Sequence, residues 1–193
     1  MDHAIERPRQ RTAAPPGRVW GVGAVGGLVG GVVMGMFMMI QSAATGMGFW
    51  TPLEVCMASF VYRGEAHMME QMMMMHPGMS MAEPLNAVHL AVGGVLHLAF
   101  SVFVGAVFAA ILFLLARAGL SIVRSFAGYV AASIAGAALL YLVMMYLVLP
   151  WANPLMCHQT PRGPFFIAHL IYGLVFGLTA FPLGSLRGFE SIG

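Results

Sequence analysis

Long runs without a charged side chain, separated by short segments that hold nearly all of the charge, dominate this chain. No Asp, Glu, Lys or Arg occurs in residues 19–53, 84–116, 125–161 or 163–186. Each run contains an apolar stretch of about 20 residues, the length that crosses the ~30 Å hydrocarbon layer as an α-helix. Strands of a membrane barrel would alternate polar and apolar residues, and these runs do not alternate. The pattern predicts an all-α, polytopic four-helix membrane bundle with spans at 19–45, 85–115, 126–149 and 164–186. Residues 1–18, with three Pro and four Arg, are expected as a disordered lead, 46–84 as an outer loop and 187–193 as a short tail.

Charge then sets the expected orientation. Arg7, Arg9, Arg11 and Arg18 precede the first span, Arg117 and Arg124 separate the second from the third, and Arg187 follows the fourth. Only Arg63 and Arg162 fall on the other side, beside Glu54, Glu65, Glu70 and Glu83. By the positive-inside rule both termini are cytoplasmic, in a bacterial inner membrane. A cleaved signal peptide is the rival for the first span, with Ser42, Ala43 and Ala44 as its small residues. The apolar run there is much longer than a 7–15-residue signal core, so a retained helix is expected. Composition agrees: 60% of the 193 residues are apolar, 8% are charged and mean hydropathy is +0.84. The net charge of +2 follows from membrane orientation and gives no reason to invoke nucleic acid.

The spans read as two parallel hairpin repeats. His97-Leu98, Phe100, Ser101 and Gly105 in the second span match His169-Leu170, Tyr172, Gly173 and Gly177 in the fourth. The first and third spans each run from small residues to a methionine pair, Met38-Met39 and Met144-Met145. Small residues four apart, such as Gly23, Gly27, Gly31 and Gly35, give every span a face for close helix packing. In the outer loop, Thr51-Pro52-Leu53-Glu54 has the form of a capping box with Pro at the first helical position. Leu53, Met57, Phe60 and Val61 then recur at helical spacing, predicting a short amphipathic surface helix.

The densest chemical signal lies in residues 67–81, where His67, Met68, Met69, Met72, Met73, Met75, His76, Met79 and Met81 make up most of the segment. Thioether sulfur is a soft ligand that selects Cu(I), and imidazole also serves copper. Met has no proton to lose, so such binding would survive acidic conditions. The alternative is a Met-rich packing surface, because Met adapts to irregular apolar partners.

His97 and His169 are the second signal. At about 1.5 Å per residue both lie about 27–30 Å from the cytoplasmic arginines that end their spans, near the outer edge of the hydrocarbon. Met34, Met36, Met38, Met39, Met144 and Met145 reach a similar depth, and His89 lies above His97 towards the loop. These residues are expected to line an outward-open cup that receives a metal. The competing roles are interhelical hydrogen bonds to Ser101, Tyr172 or a backbone carbonyl, and axial ligation of a haem. No Cys-x-x-Cys-His attachment motif is present. Cys56 and Cys157 both fall on the outer side and are expected to form a disulfide, with Cys157-His158 as metal ligands the alternative.

No span carries a carboxylate, and no nucleotide loop, Ser-His-Asp set or His-Glu-x-x-His motif occurs, so enzymatic activity is not expected. Through Gly26 to Met39, Thr51 to Gly64, His97 to Gly105 and His169 to Gly177, the chain resembles a loose group of small, largely uncharacterised bacterial four-helix membrane proteins. In that group the second and fourth helices are of the His-hydrophobic-Gly type. The resemblance implies the fold and no activity. The residues themselves favour an outer-face copper-binding or copper-handling protein. The alternatives are a non-catalytic accessory subunit of a larger membrane complex or homo-oligomer, and a small-solute channel or carrier.

Overall fold

The computed structural model describes residues 16–61 and 87–185. Helix α1 (Pro16–Ala44) is followed by the short α2 (Thr51–Val61) and by α3 (Ala87–Arg117). A 3-10 turn (Ser121–Arg124) leads into α4 (Phe126–Val143), which continues through a π-helical turn (Met144–Val148) into α5 (Leu149–Ala152). The short α6 (Pro154–Gln159) and the long α7 (Arg162–Ser185) complete the fold. Four segments are long and apolar enough to cross a membrane: Gly17–Ala44, Ala87–Arg117, Phe126–Ala152 and Arg162–Leu183. The protein is an all-α multi-pass membrane bundle.

Glycine placement decides which helices touch. One stripe of α1, Gly23, Gly27 and Gly31, lies against Ser101, Gly105 and Ala109 of α3. A second stripe, Gly26 and Gly30, seats Tyr172, Phe176 and Ala180 of α7. Helix α1 therefore has two partners, and α7 packs in turn on α4, where Gly173 and Gly177 meet Ser133. A Cβ on Gly27 would run into the Ser101 carbonyl, and one on Gly173 would come within 2.6 Å of the Ser133 carbonyl. Close backbone approach is what these glycines supply. The resulting order is α3–α1–α7–α4, and α3 touches α4 only sparsely although a short turn joins them.

The ends are tied by local chemistry. Gly46, at φ +80°, ends α1 in the left-handed conformation that L side chains resist. At the far end of the bundle Arg124 Nη2 donates to the Ala116 carbonyl at 2.9 Å, satisfying the last turn of α3. Ser125 caps α4 by accepting from the Gly128 amide at 3.1 Å. Arg18 Nη2 reaches the Leu183 carbonyl at 3.5 Å, so the start of α1 and the end of α7 share that end with Arg124.

Helix α2 begins differently from the capping box read in the sequence. The Trp50 carbonyl accepts from the Leu53 and Glu54 amides, and the Thr51 hydroxyl donates back to the Met47 carbonyl. Glu54 N–H is thus satisfied by backbone, leaving the Thr51 hydroxyl to hold the preceding turn. The α2 backbone rests on α3 where Gly93 leaves room for the Leu53 carbonyl.

Candidate functional site

Between the four long helices, at the end carrying α2 and α6, lies a cavity of ≈ 250 Å³. Helices α1, α3, α4 and α7 wall it, and α2, α5 and α6 roof it. Its lining is almost wholly apolar. The polar side chains that reach it include His97 from α3 and His169 from α7.

Each imidazole has one ring nitrogen engaged. His97 Nε2 donates to the Gly31 carbonyl of α1 at 2.9 Å, the kind of interhelical bond that the sequence allowed for. His169, only 3% exposed, donates from Nδ1 to the Phe165 carbonyl of its own helix at 2.8 Å. A carbonyl can only accept, so both tautomers are fixed in the neutral rings. His97 Nδ1 and His169 Nε2 then carry the lone pairs. The His169 ring is held edge-on by Phe165 and Tyr141, with centroids at 4.5 and 5.7 Å.

Helical phase divides the methionines. Met34, Met38 and Met144 line the cavity. Their neighbours turn away: Met36 is exposed, Met39 is buried outside the cavity lining, and Met145 packs with Tyr141, Leu149 and Phe165. Met144 opens the π-helical turn, in which the Leu149 amide reaches back to the Met144 carbonyl. Such turns are frequent at functional sites. His89 sits half-buried on α3 and is not among the residues that line the cavity, so it lies outside the cup expected from sequence.

The expected disulfide between Cys56 and Cys157 is not formed, and both residues are thiols. Cys157 Sγ points to the Met145 carbonyl at 3.8 Å and packs with the Tyr141 cluster, whereas Cys56 lines the cavity roof. Burial pushes the Cys56 thiol up to about 11, so it holds its proton at neutral pH. Among the described residues no three His, Cys, Asp or Glu side chains converge as metal ligands, so any metal held here would need thioethers as well. His67, Met68, Met69, Met72, Met73, Met75, His76, Met79 and Met81 lie outside the described residues.

Two features escaped the sequence reading. Met156 of α6 also lines the cavity, and Asn153 joins the two roof helices. Asn153 Oδ1 caps α6 by accepting from the Met156 amide at 2.9 Å, while its Nδ2 donates to the Val55 carbonyl of α2 at 3.0 Å. The signal was available as a repeated phrase, Trp50-Thr51-Pro52-Leu53 with Cys56 against Trp151-Ala152-Asn153-Pro154-Leu155 with Cys157. No family model, curated protein or solved structure matches this chain.

Proposed function

We propose that this protein binds and handles copper at the outer face of a bacterial inner membrane. The observation that carries the reading is the convergence of His97 and His169 with Met34, Met38 and Met144 on one cavity. In the sequence the Met/His run 67–81 falls between α2, which roofs that cavity, and α3, which walls it. The loop collects the ion and the cavity receives it. Arg18, Arg117 and Arg124 gather at the opposite end, which the positive-inside rule assigns to the cytoplasm. Neutral imidazole and thioether are both suited to copper. The cavity lies below the ~300–1,000 Å³ typical of sites for drug-sized ligands, which favours an ion over a haem macrocycle.

The test is metal content together with a Cu(I) competition titration on detergent-purified protein, beside a variant with Met72, Met73, Met74 and Met75 changed to Leu. Stoichiometric copper that falls in the variant supports the reading, and absence of copper from both proteins removes it. The accessory-subunit reading draws on the sparse contact between α3 and α4 and on Val95, Phe103 and Leu114 of α3, each more than half exposed. It predicts no metal and a stable partner, or a second copy, on extraction in mild detergent.

A further inference from the structure

Four of the donors around the cavity come as two matched pairs. In the register that overlays the hairpins, Gly27 corresponds to Ser133, Gly31 to Ala137 and Met38 to Met144, while His97 corresponds to His169. The packing follows that register. Ser101 and Gly105 close on Gly27 in one hairpin, and Gly173 and Gly177 close on Ser133 in the other. All of Met38, Met144, His97 and His169 line the same cavity. Each hairpin thus contributes a matched thioether and imidazole from equivalent positions.

We propose that Met38, Met144, His97 and His169 form a two-nitrogen, two-sulfur site between the two hairpins, and that it takes one soft monovalent cation, Cu(I) or its redox-inert analogue Ag(I). The proposal rests on the copper reading above and narrows it to a ligand set and an oxidation state. Softness follows from the thioethers, which bind Zn(II) and other harder divalent ions poorly. The single charge follows from the surroundings. Among the described residues no Asp or Glu lines the cavity, and the roof thiol of Cys56 keeps its proton at neutral pH. None of the four ligands brings negative charge, so the ion's charge is buried whole. The Born cost of that burial grows as the square of the charge, which selects one charge over two.

The second ring nitrogens are free for this role in the observed tautomers. His97 Nε2 and His169 Nδ1 are already held by the Gly31 and Phe165 carbonyls. A bound imidazole is typically oriented through its other nitrogen in this way. The two rings differ in which nitrogen is anchored, so the symmetry is one of position and not of tautomer. Methionine side chains are unbranched and can swing into the cavity to complete a shell.

The experiment is an anaerobic Cu(I) titration of the full chain in detergent against a colorimetric Cu(I) chelator, repeated with Ag(I) and with Zn(II). It is run on wild type, on the loop variant with residues 72–75 as Leu, and on Met38→Leu/Met144→Leu protein. The loop variant is expected to keep one Cu(I) or Ag(I) equivalent, and the cavity variant to bind that equivalent at least tenfold more weakly. X-ray absorption on the loop variant, whose cavity is unaltered, is expected to show nitrogen and sulfur together around one Cu(I). Copper on wild type but none on the loop variant would overturn the cavity site while leaving the copper reading intact. A sulfur-only shell, or Zn(II) bound as tightly as Cu(I), would also overturn it. No copper on any of the three proteins would remove both.

Discussion

Tyr172 on α7 donates its hydroxyl proton to the carbonyl oxygen of Ser101 on α3, at 2.9 Å, with the Tyr172 ring only 2% exposed. The bond runs between the two hairpins along the edge of the cavity, since both residues line it. Ser101 in turn donates from Oγ to the carbonyl of His97. A short polar chain therefore links the helix that carries one cavity histidine to the helix that carries the other.

Tyr172→Phe removes that bond and keeps the ring stacked on Phe176 at 6.3 Å. Interhelical hydrogen bonds in membranes average about 0.6 kcal/mol and reach ~1.7 kcal/mol. Reversible unfolding in mixed micelles should show a loss within that range. A loss several times larger would mean that the hydroxyl does more than join the hairpins.

Gly27→Ala should be far more harmful than Gly21→Ala on the same helix. A Cβ at Gly27 meets the Ser101 carbonyl and the Gly105 backbone, neither of which is a flexible side chain, while Gly21 has nothing within 4 Å. Overpacking of this kind costs about 1–3 kcal/mol, whereas Gly→Ala at an open helical site gains up to ~1 kcal/mol. Thermal melts of the two variants in one detergent compare them directly. Equal melting temperatures would show that α1 and α3 are not packed through this stripe.

Asn153→Ala should loosen the roof. The side chain is 4% exposed and supplies both the α6 cap and the tether to the Val55 carbonyl. Losing a cap costs about 1 kcal/mol, and loss of the second bond to the α2 carbonyl adds to it. Hydrogen exchange should rise in Thr51–Val61 and in Pro154–Gln159, with the core of α7 unchanged. Exchange that rises only in α6 would show that the α2 tether contributes nothing.

Cys56 should be unusually slow to alkylate. Burial raises its thiol from the ordinary 9.0 to about 11 in the folded protein. The thiolate is the nucleophile, so iodoacetamide labelling of Cys157→Ala protein should keep accelerating through pH 10 instead of levelling near 9. The linkage has a definite sign. The unfolded chain loses this proton first, so the contribution to stability is complete below about pH 9 and is lost as pH rises through about 11. A labelling rate that levels off by pH 9.5 would place the thiol in water.

The spans were legible because a bilayer leaves so few alternatives: four charge-free runs can only be helices, and the arginines between them bound their ends. The methionine pairs were also visible, but not which member of each pair faces inward. Adjacent helical residues point about 100° apart, and only the partner helices decide that Met38 and Met144 look into the cavity while Met39 and Met145 look away. The second glycine stripe of α1, Gly26 and Gly30, was hidden by the first, so the sequence did not put α1 between α3 and α7. The π-helical turn Met144–Val148 has its mark in Pro150, which lacks an amide to donate and crowds the Tyr146 carbonyl, but the mark does not say how the backbone accommodates it. The disulfide expectation failed because a redox rule says where cysteines can pair and nothing of where Cys157 Sγ is aimed, which is at the Met145 carbonyl.

The order α3–α1–α7–α4 also bears on how the molecule is made. Helix α7 is the last of the described helices to leave the ribosome, yet it alone packs extensively on both α1 and α4. Until it inserts, the Gly26 and Gly30 stripe has no aromatic rings to seat, α4 has no major partner, and His169 is absent from the cavity wall. A nascent chain halted after the third span therefore has Met38, His97 and Met144 but lacks His169, and has no means of joining the halves. Assembly of the hairpins and closure of the cavity wall are a single late event, and quality control that recognises unpacked helices would remove such a chain before it could persist with a half-built wall.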